Sequence, residues 1–215
     1  MTEYRFAVLA SGEGSNLQAL IDEVHRRKTA SLVLVLSDKK GAGALARARR
    51  ASVPALFLPP QPGEGRNAYH KRVAAVLAAA APDLIVLAGY MRLLPPEFID
   101  AMPPIINVHP SLLPAFPGLN APAQALAGGA KATGCTVHLV DGGMDTGPII
   151  WQEALPILAG DTPDSLHKRI KPLEHAALVR AVKAFARGQV RQKGRTIELK
   201  GDNNGNQDSL TQCEQ

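Results

Sequence analysis

The stretch Arg5-Phe6-Ala7-Val8-Leu9-Ala10-Ser11-Gly12-Glu13-Gly14-Ser15-Asn16-Leu17 decides the fold. It opens with a short apolar run of the kind that forms a strand buried on both faces. It passes through two glycines and enters residues 15–27, where Leu17, Leu20, Ile21 and Val24 share one helical face. A helix N-terminus presents unpaired N–H groups and the positive end of a dipole, so this loop can hold a phosphate. Gly12 and Gly14 let the backbone come close, and Ser15 and Asn16 add donors. The same residues can equally form a tight turn in which Ser15 or Asn16 only caps the helix. A dinucleotide fingerprint requires a third glycine at position 17, where Leu17 stands. Asp38, after the second strand, is placed to mimic a ribose-binding acid, but the fingerprint stays incomplete and a single phosphate fits better than a pyrophosphate.

Outward from this unit the same alternation repeats. Residues 32–36 form a second strand, 43–52 a helix, 55–58 a third strand, 66–81 a helix and 84–88 a fourth strand. Residues 59–65, rich in Pro and Gly, form a loop. The pattern predicts an α/β fold with a doubly wound, mostly parallel sheet. Beyond residue 100 it changes: strands at 105–108, 133–140 and 149–156, a Pro-rich loop at 110–118 and a short helix at 121–127. The long helix at 162–187 has Thr162 as N-cap, Pro163 in its first turn and Gly188 as its stop. Pro172 is expected to kink or divide it. The second, smaller half is expected to continue the sheet. Residues 1–200 therefore read as one domain, a phosphate-binding half at 1–100 and a catalytic half at 101–200. The polar residues 201–215 are expected to be a disordered tail.

Composition bounds what such a chain can be. With 215 residues, 46% of them hydrophobic, it can build a real core. The longest apolar run, residues 73–81, is too short for a membrane span. The N-terminus lacks the pattern of a secretory signal, so a cytoplasmic protein is expected, with Cys135 and Cys213 as free thiols. The net charge is +5, but only 4% of residues are aromatic. Arg47, Arg49 and Arg50 read as a solvated helix face. No nucleic-acid or membrane partner is expected; a modest positive balance suits small anionic substrates.

The chemistry concentrates at Asn107-Val108-His109-Pro110-Ser111-Leu112-Leu113-Pro114. Two apart near a strand end, Asn107 and His109 point to the same side. A placed amide donor stabilises a developing oxyanion by ~2.7–4 kcal/mol, and histidine can donate to it or move protons. Equally, Asn107 can cap a turn and His109 can be a satisfied loop histidine. His109 and His138 lack metal-ligand spacing, so no metal is expected. In Asp141-Gly142-Gly143-Met144-Asp145-Thr146-Gly147-Pro148, Asp145 can reach His109, or either aspartate can form an Asx-turn with its own backbone. Cys135, inside a strand pattern, reads as core and not as a nucleophile.

Taken together, G-E-G-S-N-L at 12–17, A-G-Y-M-R-L-L at 88–94, N-V-H-P-S-L-L-P at 107–114, G-C-T-V-H at 134–138, D-G-G-M-D-T-G-P at 141–148 and L-E-H at 173–175 resemble the folate-dependent glycinamide ribonucleotide formyltransferase family. The resemblance covers residues 5–190. It implies a Rossmann-like formyltransferase fold and transfer of a formyl group from 10-formyltetrahydrofolate, a cosubstrate, to the amine of phosphoribosylglycinamide in purine biosynthesis. It implies Asn107, His109 and Asp145 as the catalytic trio, and His138 as a histidine near the active site. Gly14, Ser15 and Asn16 then hold the substrate phosphate, and Glu174 contacts the ribosyl glycinamide. Arg66, Met91, Arg92, Leu93, Leu94, Asn107, Asp141, Gly142, Gly143, Met144 and Asp145 form the folate site, with the catalytic half at 101–200 as the folate-binding one. The expected assembly is a monomer or homodimer. One departure is Asn120-Ala121-Pro122, where family members often carry a histidine at the third position; Pro122 cannot replace its polar contact.

Methionyl-tRNA formyltransferases and formyltetrahydrofolate hydrolases share the Asn-x-His-Pro segment. The first are longer at the C-terminus, and the second usually carry an N-terminal regulatory domain, so length favours the purine enzyme. A dehydrogenase is opposed by Leu17, and a non-catalytic folate-binding module by the retained trio.

Overall fold

The computed structural model describes residues 3–200. The expected tail at 201–215 and Cys213 lie outside the described residues. Seven strands form one sheet in the order β3-β2-β1-β4-β5-β6-β7. They are β1 (Arg5–Leu9), β2 (Ser31–Ser37), β3 (Ala55–Phe57), β4 (Leu84–Leu87), β5 (Ile105–His109), β6 (Ala132–Leu139) and β7 (Ile149–Pro156). β1 to β5 run parallel, while β5–β6 and β6–β7 pair antiparallel. The helices are α1 (Ser15–Leu20), α2 (Gly43–Arg50), α3 (Arg66–Ala80), α4 (Pro96–Ala101), α5 (Ala121–Ala127) and α6 (Pro163–Ala186).

Alternation along the strands builds two cores, one on each face of the sheet. Phe6, Val8, Leu84, Val86, Ile106 and Val108 join the core under α1, α2 and α6. Ala7, Leu9, Ile85, Leu87 and Ile105 join the other, under α3 and α4. Each such side chain contributes ~1.5–3 kcal/mol when fully buried, which is why a strand apolar at every position is stable only between two layers. Asn107 and His109 share the face of Ile105 by the period of two.

Several expectations need correction. The helix expected over 15–27 ends its α-helical part at Leu20 and continues as a π-helical turn, Ile21–His25. α4 was not expected, because six residues are too few for a helical period to show. α6 runs unbroken through Pro172. Pro172 and Lys168, whose carbonyl loses its helical partner, both lie on the exposed face, where solvent can reach that carbonyl. The ends of α6 follow the expected signals. Thr162 and Ser165 form a reciprocal capping box, and Gly188, at φ 64, closes the C-terminus by donating to Phe185. After it comes a two-stranded hairpin absent from the sequence reading, β8 (Val190–Lys193) and β9 (Thr196–Leu199). Cys135 is fully buried in β6, and burial pushes its thiol pKa up to about 12.

Candidate active site

The strand order reverses between β1 and β4, and the carboxyl edge of the sheet at such a reversal is where open α/β sheets bind their ligands. The β1 loop is shaped by its glycines. Gly14 sits at φ 81, and any side chain there would lie 2.7 Å from the Ala44 backbone of α2. Gly14 thus lets two helices approach, whereas the space around Gly12 is open. Ser15 begins α1, and Asn16 reaches across to α6, its Nδ2 donating to Glu174 Oε2 at 3.2 Å. Asn16 Oδ1 is buried without a hydrogen-bond partner among the described residues. Glu174 is 5% exposed, and burial, partly offset by Asn16 and Lys171, raises its pKa.

Two cations at this loop escaped the sequence reading. Lys171, one turn before Glu174 on α6, places Nζ 3.0 Å from Glu13. Arg47 donates from Nε to the Glu13 carbonyl at 3.0 Å, so it is a loop tether and not part of a purely solvated face; Arg49 and Arg50 are exposed as expected. The helical spacing of Lys171 from Glu174 was the available signal for the first. Asp38 serves no ribose site here. It accepts from Ser11 Oγ at 2.6 Å and from Arg92 Nε at 2.8 Å, and Ser11 Oγ in turn accepts from the Met91 N–H at 3.1 Å. This buried carboxylate therefore clamps the β1 loop to the segment after β4.

That segment divides. Met91 and Leu93 are 66% and 48% exposed, while Leu94 is buried in the α3–α4 core. Arg92 turns inward to Asp38 and lies over the Tyr69 ring, 5.2 Å from its centre. Arg66 begins α3 at the surface, and its carbonyl meets His70 Nδ1 at 2.8 Å. Burial first, then the charges of Arg92 and Arg66, hold the His70 pKa down against that backbone bond.

The catalytic candidates meet at the seam of β5 and β6. Asn107 and His138 are directly paired across the antiparallel ladder. His138 Nδ1 lies 2.8 Å from the Leu139 carbonyl, and its Nε2 stands 3.3 Å from Asn107 Nδ2 and 3.5 Å from Asp145 Oδ1. The β6–β7 loop brings Asp145 onto the same point. Its Oδ1 accepts from Asn107 at 3.3 Å, its Oδ2 accepts from the Gly118 N–H at 2.8 Å, and His109 Nδ1 stands 3.2 Å from Oδ2. The other nitrogen of His109 is 2.8 Å from the Phe116 carbonyl, so both ring nitrogens face oxygen acceptors, an arrangement satisfied when both carry hydrogen. Burial pushes the Asp145 pKa up, but His138, the Gly118 N–H and the charge of His109 more than offset it and hold it below the ordinary value.

The two loop aspartates take different parts. Asp141 Oδ1 accepts from the Gly143 N–H at 3.0 Å and from Thr146 Oγ1 at 2.6 Å, which makes it the Asx-turn of the loop. Gly147 is required by contact: a side chain there would overlap the Leu139 carbonyl. Gly142 approaches Pro96, just past Leu94, so the loop faces the post-β4 segment, with Met144 53% exposed. Pro122 is buried in the first turn of α5 and presents no donor. Among the described residues there is no group of three or more metal-capable side chains, and no helix is long and apolar enough to cross a membrane.

A family model described as formyl transferase matches residues 4–182. The chain is 46% identical over 196 residues to the phosphoribosylglycinamide formyltransferase of Mycobacterium tuberculosis (strain ATCC 25618 / H37Rv), covering 91% of each protein. It is 47% identical over 188 residues to the trifunctional purine biosynthetic protein adenosine-3 of Drosophila melanogaster, but spans only 14% of that protein's length. Among solved structures, glycinamide ribonucleotide transformylase 1 from Symbiobacterium toebii gives a TM-score of 0.89 at 45% identity, covering 92% of this chain and 94% of that one. On these similarities the chain belongs to the formyl transferase family and, within it, to the phosphoribosylglycinamide formyltransferases.

Proposed function

We propose that the chain moves a formyl group from 10-formyltetrahydrofolate to the amine of phosphoribosylglycinamide by direct attack, with no covalent enzyme intermediate. The observation that carries this reading is the convergence of Asn107, His109, His138 and the Gly118 N–H on one carboxylate, Asp145. The neutral amine attacks the formyl carbon with its lone pair, and the bond from that carbon to the folate nitrogen then breaks. Asn107 and His109 donate to the oxygen that gains charge, the kind of stabilisation worth ~2.7–4 kcal/mol per donor. His109 exchanges its contact with the Phe116 carbonyl for that oxygen. Asp145 keeps the imidazole oriented and, with water, takes the proton lost by the amine and passes it to the departing folate nitrogen.

Substrate positions follow from the same frame. Gly14, Ser15 and Asn16 hold the phosphate, and Lys171 stands beside them once released from Glu13. Glu174 and the unpartnered Asn16 Oδ1 face the ribosyl glycinamide. The exposed Met91, Leu93 and Met144 supply apolar surface for a flat folate ring, with Arg66 near its anionic end. Residues 1–200 act as one domain, a phosphate-binding half at 1–100 and a catalytic and folate-binding half at 101–200, with Arg66 and Met91 reaching the folate from the first half and Glu174 the ribosyl substrate from the second.

The test is a formyl-transfer assay with both substrates, following tetrahydrofolate release, and a control without the amine. Product that requires both supports the reading. Product without the amine makes the chain a hydrolase, and no product with either refutes the assigned acceptor.

A further inference from the structure

The loop that carries Asp145 is not packed from behind. A cavity of about 480 Å³ opens there, lined by Leu113, Pro117, Met144, Ile149, Arg195 and Ile197 among others. Asp145 itself holds φ 55, a left-handed backbone conformation that a residue with a side chain keeps only when its surroundings over-determine it. Two tethers flank it at Thr146. On one side Thr146 Oγ1 donates to Asp141. On the other, Arg195 Nη2 donates to the Thr146 carbonyl at 2.5 Å, from 49 positions along the chain.

Arg195 stands at the tip of the β8–β9 hairpin, just after Gly194, whose φ of 60 makes the tight connection. Ile197 and Leu199 pack against the main core. Arg195 itself lies in the two-residue turn between Lys193 and Thr196, and its side chain lines the cavity and reaches the loop. The outer side is fastened by Lys193, whose ammonium meets Glu198 at 2.8 Å. The base of the hairpin thus rests on the core, and its exposed tip bonds the loop one residue from Asp145.

We propose that Arg195 is a positioning residue for formyl transfer: the hairpin spans the cavity as a strut, fixes Thr146, and so holds the Asp145 carboxylate against His109. This rests on the role given to Asp145 above. The groups facing Asp145 are Asn107 and His109 from β5, His138 from β6 and the Gly118 N–H. Among the described residues Arg195 bonds no Asp145 oxygen, so it acts through the backbone. A displacement of about 1 Å at a reacting group can cost roughly 100-fold in rate, so a single strut is enough to matter.

The experiment compares wild type, Arg195→Met, which keeps an aliphatic stem, and Arg195→Lys, which keeps a donor. Steady-state kinetics with both substrates, melting temperature and the ¹³C titration of the Asp145 carboxyl are measured. Arg195→Met is expected to lower kcat by about 10- to 100-fold with KM changed less than about 3-fold. Its melting temperature stays near wild type, and the Asp145 midpoint rises towards the ordinary carboxylate value; Arg195→Lys recovers most of kcat. An unchanged kcat and midpoint in Arg195→Met would overturn the proposal. So would equal losses in both variants tracking a fall in melting temperature, which mark a merely structural hairpin. If wild type itself transfers no formyl group, the functional reading fails, and the titration midpoint still decides whether Arg195 holds Asp145.

Discussion

Asp145 and Glu174 are both largely buried carboxylates of the candidate site, and their surroundings push them in opposite directions. Asp145 has a backbone N–H, an asparagine amide and two imidazoles around it, and its pKa is held down. Glu174 has one asparagine amide at 3.2 Å and is otherwise desolvated, and its pKa is raised. Donor count and depth of burial together separate them: Asp145 is the less deeply buried and has the more donors. A carboxylate kept ionised can orient an imidazole and accept a proton; one whose ionisation burial opposes is kept at a cost in stability. On the function proposed above, proton handling falls to the β5–β6 seam and recognition to the α1–α6 contact.

The strongest way to break that contrast is Asp145→Asn. The change preserves shape but removes the charge that orients His109. Turnover should fall by about 10³-fold, within the range for a lost acid–base group, with KM little altered. Steady-state kinetics on the folded variant decide it, and a loss below about 10-fold would show that Asp145 is only a structural acceptor. Asn107→Ala should cost about 100-fold in kcat, because it deletes a donor to the developing charge and leaves the backbone of β5 intact. An effect confined to KM would instead place Asn107 in ground-state binding.

The contrast also has a pH signature with two signs. A folded pKa held down, as for Asp145, adds stability that is fully present above the unfolded value of ~3.9 and is lost as pH falls through the lower folded value. A folded carboxyl pKa that is raised, as for Glu174, does the reverse: stability is lost as pH rises from the unfolded value of ~4.3 through the folded one. Urea melts of wild type against Asp145→Asn should therefore differ equally at pH 5 and 7 and converge only in stronger acid. Wild type against Glu174→Gln should diverge as pH rises above about 4.3 and then level off. Parallel curves for the two variants would remove the distinction.

How much of this was legible without coordinates depends on whether a side chain or a backbone atom carries the interaction. The first strand, its glycine loop and the helix after it show in the alternation of apolar residues, and the Asn107–His109 pair shows in a spacing of two. The choice between Asp141 and Asp145 did not show, because both sit among glycines and only the turn geometry sends one inward. The Phe116 carbonyl on His109 and the Gly118 N–H on Asp145 have no signature at all, since every residue owns such atoms. Leu94 entered the expected folate site through the resemblance of the 88–94 motif; that its side chain is buried while Met91 and Leu93 are exposed did not show in the sequence. Arg195 was hidden by distance along the chain.

Asp38 sharpens the comparison as a third buried carboxylate, this one matched by a full cation and a hydroxyl. Asp38→Asn should cost about 1.5–3 kcal/mol, the value of a charge-assisted hydrogen bond, because Arg92 is one-third exposed and can rehydrate. Since Ser11 and Met91 hang on the same carboxylate, KM for both substrates should rise together. Denaturant midpoints and two KM values test this; a change in only one KM would show that the two loops are not clamped to each other.

Glu174→Gln is the gentlest and most diagnostic change. The amide retains the volume, still accepts from Asn16 and removes the need to bury a charge. At pH 7.5 the variant should be more stable than wild type, by about 2–4 °C in melting temperature if ~1 kcal/mol of desolvation is relieved. At the same time KM for the ribosyl substrate should rise by about 10-fold with kcat nearly kept, the pattern of lost uniform binding. Stability gained where recognition is lost would mean that this carboxyl is kept for its ligand and not for the fold. A variant that loses stability would show instead that the Asn16–Glu174 contact is a net support of the α1–α6 packing, and the opposition between the two carboxylates would reduce to one functional residue and one structural one.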